Sequence, residues 1–307
     1  MSVTGLAKRY GALSAVRDLS FAVRRGEVFA LLGPNGAGKT TTVEILEGFR
    51  SRDGGSVRVL GVDPAGRSRT LRQRIGIVLQ EAAVEPHLTV REVITRNAGF
   101  YPHPRPVDEV IGLVGLADKA DTRIQRLSGG QQRRLDVALG IVGRPELIFL
   151  DEPTTGFDPS ARRGAWDLVR SLRAGGTTVI LTTHYMDEAE ALADRVAVIA
   201  AGSVVAEGPP AALGGRDRSE ATIRFRLPPG ADPHALPVPA VPAGDAFALT
   251  TSDEVHLLHE LTGWALQSGT ELIGLSVQRP TLEDIYLRLT ADAESTAARP
   301  ASAPGRR

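Results

Sequence analysis

No cysteine occurs among the 307 residues, so disulfides, zinc–thiolate sites and thiol catalysis are all excluded. Lysine is scarce: only Lys8, Lys39 and Lys119 are present, leaving 33 of the 36 basic residues as arginine. Neither sign of charge is in excess, because Lys+Arg and Asp+Glu both number 36. A formal net charge of zero argues against a partner held by bulk charge, and no nucleic acid is expected. The opening MSVTGLAKRY lacks the apolar h-region of a signal peptide. Apolar runs such as Val196–Ala201 fall far short of the roughly 20 residues that cross a bilayer, so a membrane role has to pass through a partner. What is present, 42% hydrophobic and 23% charged residues, suits a soluble globular chain of about two domains.

From Leu6 to about Gly208, short apolar runs alternate with helix-like stretches, the pattern of an α/β fold. Buried strands are expected at Glu27–Leu32, Ile75–Leu79, Leu147–Leu150, Thr178–Thr182 and Val196–Ile199, each apolar without strict alternation. Val16–Val23 and Ser56–Val59 read as half-exposed antiparallel strands. Gly208-Pro209-Pro210 and Gly214-Gly215 then break the pattern, and Leu227–Gly244 is rich in Pro and Ala. Around that stretch, strands are expected at Ala221–Arg226, Ala246–Thr250 and Glu271–Val277. A helix over Asp253–Ser268 would put Leu257, Leu258, Leu261, Trp264 and Ala265 on one face, and another starts near Pro280-Thr281. The expected domains are residues 1–215, a small α/β unit over 218–290, and a disordered tail over 291–307.

Gly33-Pro34-Asn35-Gly36-Ala37-Gly38-Lys39-Thr40 follows an apolar strand and precedes a helix beginning at Thr41, the context that a P-loop requires. Its glycines let successive N–H groups converge on phosphate oxygens at a positive helix end. Lys39 would reach the β- and γ-phosphates, and Thr40 would offer its hydroxyl to Mg²⁺. Further on, the strand Leu147–Leu150 ends in Asp151 and Glu152, two adjacent carboxylates that would leave to opposite sides. Asp151 would hold Mg²⁺, and Glu152 would polarise the attacking water as general base.

Asparagine occurs only at positions 35 and 97, neither before a lysine, so the Asn-Lys-x-Asp motif of GTPases is missing. Leu127-Ser128-Gly129-Gly130-Gln131 opens a helix, with Ser128 as a candidate N-cap, and forms a second anion-binding helix start.

With these motifs together, the sequence resembles the ATP-binding subunit of an ABC transporter over roughly Val3–Gly208. Gly33–Thr40 is similar to its Walker A loop, Leu127–Gln131 to its signature, and Leu147–Glu152 to its Walker B strand. The resemblance implies a P-loop NTPase ABC-type ATPase domain with a mixed sheet core, an antiparallel β subdomain and a helical subdomain over about 81–140. It adds Tyr10 as the adenine-stacking aromatic and Thr41 among the ATP-binding residues. Gln80 is implied as the sensor of Mg²⁺ and water, His184 as the γ-phosphate switch, and Asp158 as the D-loop aspartate. Phe157 departs from the commoner Leu and leaves that aspartate untouched. The cofactors implied are ATP and Mg²⁺.

A family member with one copy of each motif is expected to form a head-to-tail homodimer, in which Ser128, Gly129 and Gly130 of one protomer meet ATP held by Lys39 of the other. Glu81–Arg96, with Pro86, His87 and Leu88 at its tip, would pass the motion to a separate polytopic permease from the cytoplasmic face of the cell membrane. Read without the resemblance, the same stretch is an ordinary loop and helix, and Arg126 with Arg133-Arg134 reads equally as a solvated basic face. The C-terminal run Arg279–Leu287 is similar to the closing pattern of ABC-2 drug and antibiotic exporter ATPases, typified by those of daunorubicin resistance. It implies export of a drug, antibiotic or other small amphipathic compound. There Thr281 and Asp284 would cap a helix whose inner face carries Leu282, Ile285 and Leu289. The alternatives are a soluble ABC-type ATPase acting on DNA or ribosomes, and a module that holds ATP without turnover. Some 110 residues with no sustained heptads separate the two Walker motifs, which speaks against the DNA-repair type.

Overall fold

The computed structural model describes residues 1–78 and 85–298. The chain divides into two compact units, Met1–Pro210 with the chain from Arg288 onward, and Ala211–Leu287. The first unit opens with β1 (Ser2–Tyr10), β2 (Leu13–Ala22) and β3 (Val28–Leu32). Helix α1 (Lys39–Glu47), β4 (Gly54–Arg58), the single turn α2 (Arg69–Arg72) and β5 (Ile75–Val78) follow. Three helices come next, α3 (Val90–Ala98), α4 (Val107–Leu113) and α5 (Gly129–Ile141). The unit then continues through β6 (Leu147–Asp151), α6 (Pro159–Ala174), β7 (Thr178–Thr182), α7 (Met186–Leu192), β8 (Arg195–Ala200) and β9 (Ser203–Gly208).

The central sheet has the order β5-β6-β7-β3-β8-β9. Its first five strands are parallel and β9 is antiparallel to β8. Strands β3 and β7 are buried along their whole length, which accounts for their unbroken apolar runs. The chain leaves β3 for the far edge at β5 and returns through β6 and β7, so the crevice at the carboxyl end of β3 is a topological switch point.

A second sheet, β2-β1-β4, is antiparallel, as expected for the segments at 16–23 and 56–59. Its Leu6, Leu19, Phe21 and Val57 join Phe29, Phe149 and Ile180 in one core, where Phe21 stacks on Phe29 at 5.3 Å. Strand β1 has no counterpart in the sequence reading. Its buried Val3 and Leu6 stand three apart because the register shifts between them, which erases the period of two. Strand β9 also goes unread: the chain reverses at Ala201 and Gly202, both at positive φ, to form a hairpin with β8.

Pro86 and His87 are exposed in a turn before α3, whereas Gln80 and Glu81–Val84 lie outside the described residues. Thr89 and Glu92 cap α3 reciprocally. Helix α5 meets β5 closely, since a Cβ added at Gly76 would sit 2.2 Å from the Gly140 carbonyl oxygen.

The second unit is an antiparallel sheet of β10 (Ala221–Arg226), β11 (Val241–Ala243), β12 (Ala246–Thr251) and β13 (Ile273–Gln278), in the order β11-β12-β10-β13. Helix α8 (Glu254–Ser268) supplies Leu261 to a core with Ile223, Phe225, Val238 and Leu249, and Leu257 and Leu258 pack against it. Strand β11 lies within the Pro-rich stretch, where an edge position tolerates the missing N–H of Pro242. Helix α9 (Leu282–Ala298) begins where Thr281 and Asp284 exchange hydrogen bonds, and Leu282 and Ile285 are buried. The tail expected to be disordered from residue 291 is therefore helical as far as Ala298, in keeping with the high helix propensity of its alanines. Residues 299–307 lie outside the described residues. Among the described residues no helix is long and apolar enough to cross a membrane.

Glu47, in the last turn of α1, is 6% exposed. Burial pushes its carboxyl from the ordinary 4.5 up to about 8, and the charges of Asp151 and Glu44 add to the rise. The folded chain therefore holds a proton there that the unfolded chain gives up. The stability this supports is complete below about pH 4.5 and is lost as the pH climbs through about 8. In urea denaturation between pH 5 and pH 9, wild type is expected to lose stability relative to Glu47→Gln, and parallel pH profiles would refute this.

Candidate functional site: a phosphate cradle beside a carboxylate turn

The loop between β3 and α1 is the expected cradle. Gly38 closes it at φ 100, a left-handed conformation, and a Cβ there would lie 2.4 Å from the Ala15 carbonyl oxygen. Only glycine fits both demands. With α1 begun, the Lys39 Nζ turns back across the loop, donating to the carbonyl oxygens of Gly33 at 2.5 Å and Pro34 at 3.1 Å. Burial lowers the Lys39 pKa, against the pull of the nearby Glu152 and Asp151 carboxylates. A partly buried ammonium satisfied by its own loop carbonyls, at the positive end of a helix, suits an incoming polyanion. Pro34, Asn35, Gly36 and Ala37 form the body of the loop, and Thr40 is exposed at the head of α1.

The carboxylates stand at the end of β6. Thr182, at the matching end of β7, donates its hydroxyl to Asp151 Oδ1. Glu152 leaves the strand at φ 46, a left-handed conformation that costs a non-glycine residue about 1–3 kcal/mol. Its N–H donates to the Thr182 carbonyl at 3.0 Å. The Glu152 carboxylate lies 3.2 Å from His184 Nδ1 and accepts from the Thr155 hydroxyl at 3.3 Å. Glu152 and His184 are thus brought together, and the Asp151–Glu152 pair sits within electrostatic reach of Lys39. Two residues on, Thr154 donates to the fully buried Glu188, which also accepts from the Trp166 indole. Burial holds the Glu188 carboxyl above the usual carboxylate range.

Tyr10 presents its hydroxyl 3.5 Å from the Thr41 hydroxyl, with the Arg50 guanidinium 5.3 Å from its ring centroid. Its ring therefore lies beside the first turn of α1. Leu127 is buried just before the signature turn. Ser128 caps α5 as expected: its hydroxyl accepts from the Gln131 N–H at 3.3 Å, and its own N–H donates to Gln131 Oε1 at 3.0 Å. Gly129 and Gly130 form the first turn of α5. Among the described residues, no hydrogen bond joins Ser128–Gln131 to the cradle. Asp158 caps α6, accepting from the N–H groups of Ser160 and Ala161, which hold its carboxyl below the usual range.

Two side chains here escaped the sequence reading. Thr182 reads from sequence as a strand residue and is a partner of Asp151. Arg133, read equally as part of a solvated basic face, is instead buried at 7% exposure with its guanidinium on main-chain carbonyls of 151–153. The signal was its spacing of four from Val137 and eight from Ile141, both on the buried face of α5. Arg126 is exposed, as that reading has it.

A family model described as ABC transporter matches residues 16–155, and one described as ABC transporter domain-containing protein-like, C-terminal domain, matches 221–281. The chain is 39% identical to daunorubicin resistance ATP-binding protein DrrA3 of Streptomyces coeruleorubidus, over 95% of this chain and 96% of that one. It is 38% identical to Nod factor export ATP-binding protein I of Rhizobium johnstonii, over 94% of each. Among solved structures, the ATP binding subunit of an ABC transporter superposes with a TM-score of 0.64 at 26% identity, covering 68% of this chain and 90% of the other. A dimeric ATP-binding cassette in a post-hydrolysis state bound to ADP and Pi is alike in fold, with a TM-score of 0.62 at 24% identity over 68% and 97% of the two chains. With a glycine-rich loop beside a carboxylate turn, and relatives matched over nearly the whole length, this chain belongs to the ABC transporter family.

Proposed function

We propose that this protein is the ATP-hydrolysing subunit of an exporter, seated on the inner face of the cell membrane against a separate ABC-2 type permease. The single observation that carries the hydrolytic reading is the convergence of Glu152, His184 and Asp151 at the ends of adjacent strands, within electrostatic reach of Lys39. Export of a drug, antibiotic or similar amphipathic compound is supported by relatives whose names carry daunorubicin resistance and Nod factor export.

In this reading Lys39 exchanges its two loop carbonyls for the β- and γ-phosphate oxygens of ATP, and the loop N–H groups from Gly33 to Thr41 bind the same anion. Tyr10, beside Thr41, offers its ring to the adenine. Glu152 accepts the proton of the attacking water as oxygen bonds to the γ-phosphorus and the bond to ADP breaks. His184 orients the Glu152 carboxylate at 3.2 Å and stands beside the γ-phosphate. The Thr40 hydroxyl and the Asp151 carboxylate are hard oxygen donors that fit Mg²⁺, with Gln80 as a further donor outside the described residues. When bound, Mg²⁺ neutralises charge on the phosphate oxygens.

Two copies close head to tail, so that the Ser128–Gly130 turn of one faces the nucleotide of the other and Asp158 lies near the junction. Support comes from the dimeric ATP-binding cassette of the same fold.

Lys39→Ala removes a charged donor and is expected to weaken ATP binding about 10- to 100-fold by calorimetric titration. Wild-type affinity would contradict the cradle role. Glu152→Gln should cut hydrolysis by about 10² or more while keeping ATP binding. With Mg²⁺-ATP the same variant should run as a dimer in light scattering, and a monomer at saturating nucleotide would remove the head-to-tail arrangement. A tagged chain isolated from the membranes of its own cells should carry a polytopic membrane protein with it. Recovery wholly from the soluble fraction would remove the permease.

A further inference from the structure

Arg133 lies on α5 shortly after the Ser128 cap, and its side chain is 8% exposed. Its Nη2 donates to the carbonyl oxygen of Asp151 and, at 3.0 Å, to that of Glu152. Its Nε donates to the Pro153 carbonyl oxygen at 3.4 Å. One guanidinium thus spans three successive carbonyls of the turn that leaves β6. Asp136, one helical turn along, stands 4.0 Å from Nη1. A buried arginine whose donors go to main chain fixes backbone, and its planar fork is suited to several acceptors at set angles.

The turn it grips needs such a hold. Glu152 has a left-handed backbone, and neighbours have to over-determine it for the conformation to persist. Thr182 secures the N–H side from β7, and Arg133 secures the carbonyl side from α5. The far half of α5 is fixed against β5 by the close approach of Gly140 to Gly76. Displacement of the first turn of α5 therefore reaches the Glu152 backbone through the Arg133 side chain.

We infer that Arg133 is a positioning residue for Glu152: through it, the helix that begins with Ser128 sets where the hydrolytic carboxylate of the same chain stands. This rests on the reading of Glu152 as the base. It makes the signature helix and the base of one subunit a single mechanical piece.

Arg133→Lys keeps the charge, but one ammonium cannot span three carbonyls. Its kcat is expected to fall about 10- to 100-fold, the scale of a misplacement near 1 Å, with KM and Kd for ATP and the melting temperature close to wild type. Hydrolysis by Arg133→Ala should recover in part on adding millimolar guanidinium ion, and this arm also serves if the lysine variant does not fold. In a Glu152→Gln background, Arg133→Lys should cause no further loss. A wild-type kcat for Arg133→Lys, or the same fold-loss repeated in the Glu152→Gln background, would overturn the positioning role. A wild-type rate for Glu152→Gln alone would instead remove the base reading, so the two failures are told apart.

Discussion

The turn from Asp151 to Thr154 is the constraint on which the site depends. The strand ends in two carboxylates, and the second leaves it at a left-handed backbone that a non-glycine residue disfavours. Thr182 takes up the Asp151 side chain and the Glu152 N–H, Arg133 takes the carbonyls, and Glu188 takes the Thr154 hydroxyl. These three partners come from α5, which precedes the turn in the chain, and from β7 and α7, which follow it. Their convergence holds Glu152 where His184 can meet it.

Charge is balanced across the crevice in the same way. Lys39 is half-buried and disfavoured as a cation by its surroundings, yet two carboxylates stand close enough to oppose that effect. Its ammonium is satisfied by carbonyls of its own loop. Gly38 and the buried β3 fix the loop between strand and helix.

Asp158 and Ser128 show how residues expected to face a neighbouring subunit also have work within their own. Each is an N-cap, of α6 and of α5, and each satisfies N–H groups that a helix start leaves open. Such a residue fixes the loop that carries it, and the loop is then presented in one conformation.

Short-range chemistry was legible in the sequence. The Gly33–Thr40 run, the Leu147–Glu152 strand end, the Ser128 cap, the central strands and the α8 stripe each depend on neighbours a few residues away, and periodicity or glycine spacing reveals such things. Strand β1 was hidden because its register shifts break the alternation, and the helical stretch beyond residue 291 because its composition resembles a solvated tail. The spacing of Arg133 marks it as buried, but what Arg133 and Thr182 touch could be found only in three dimensions. A buried guanidinium on the carbonyls of 151–153, and a hydroxyl on Asp151, exist because the parallel order β6-β7-β3 and the close seat of α5 on β5 bring distant segments within hydrogen-bond reach. The sequence by itself determined which groups can carry the chemistry, since that follows from residue type and local spacing. The tertiary structure decided which of them touch, because contact depends on the path of the whole chain.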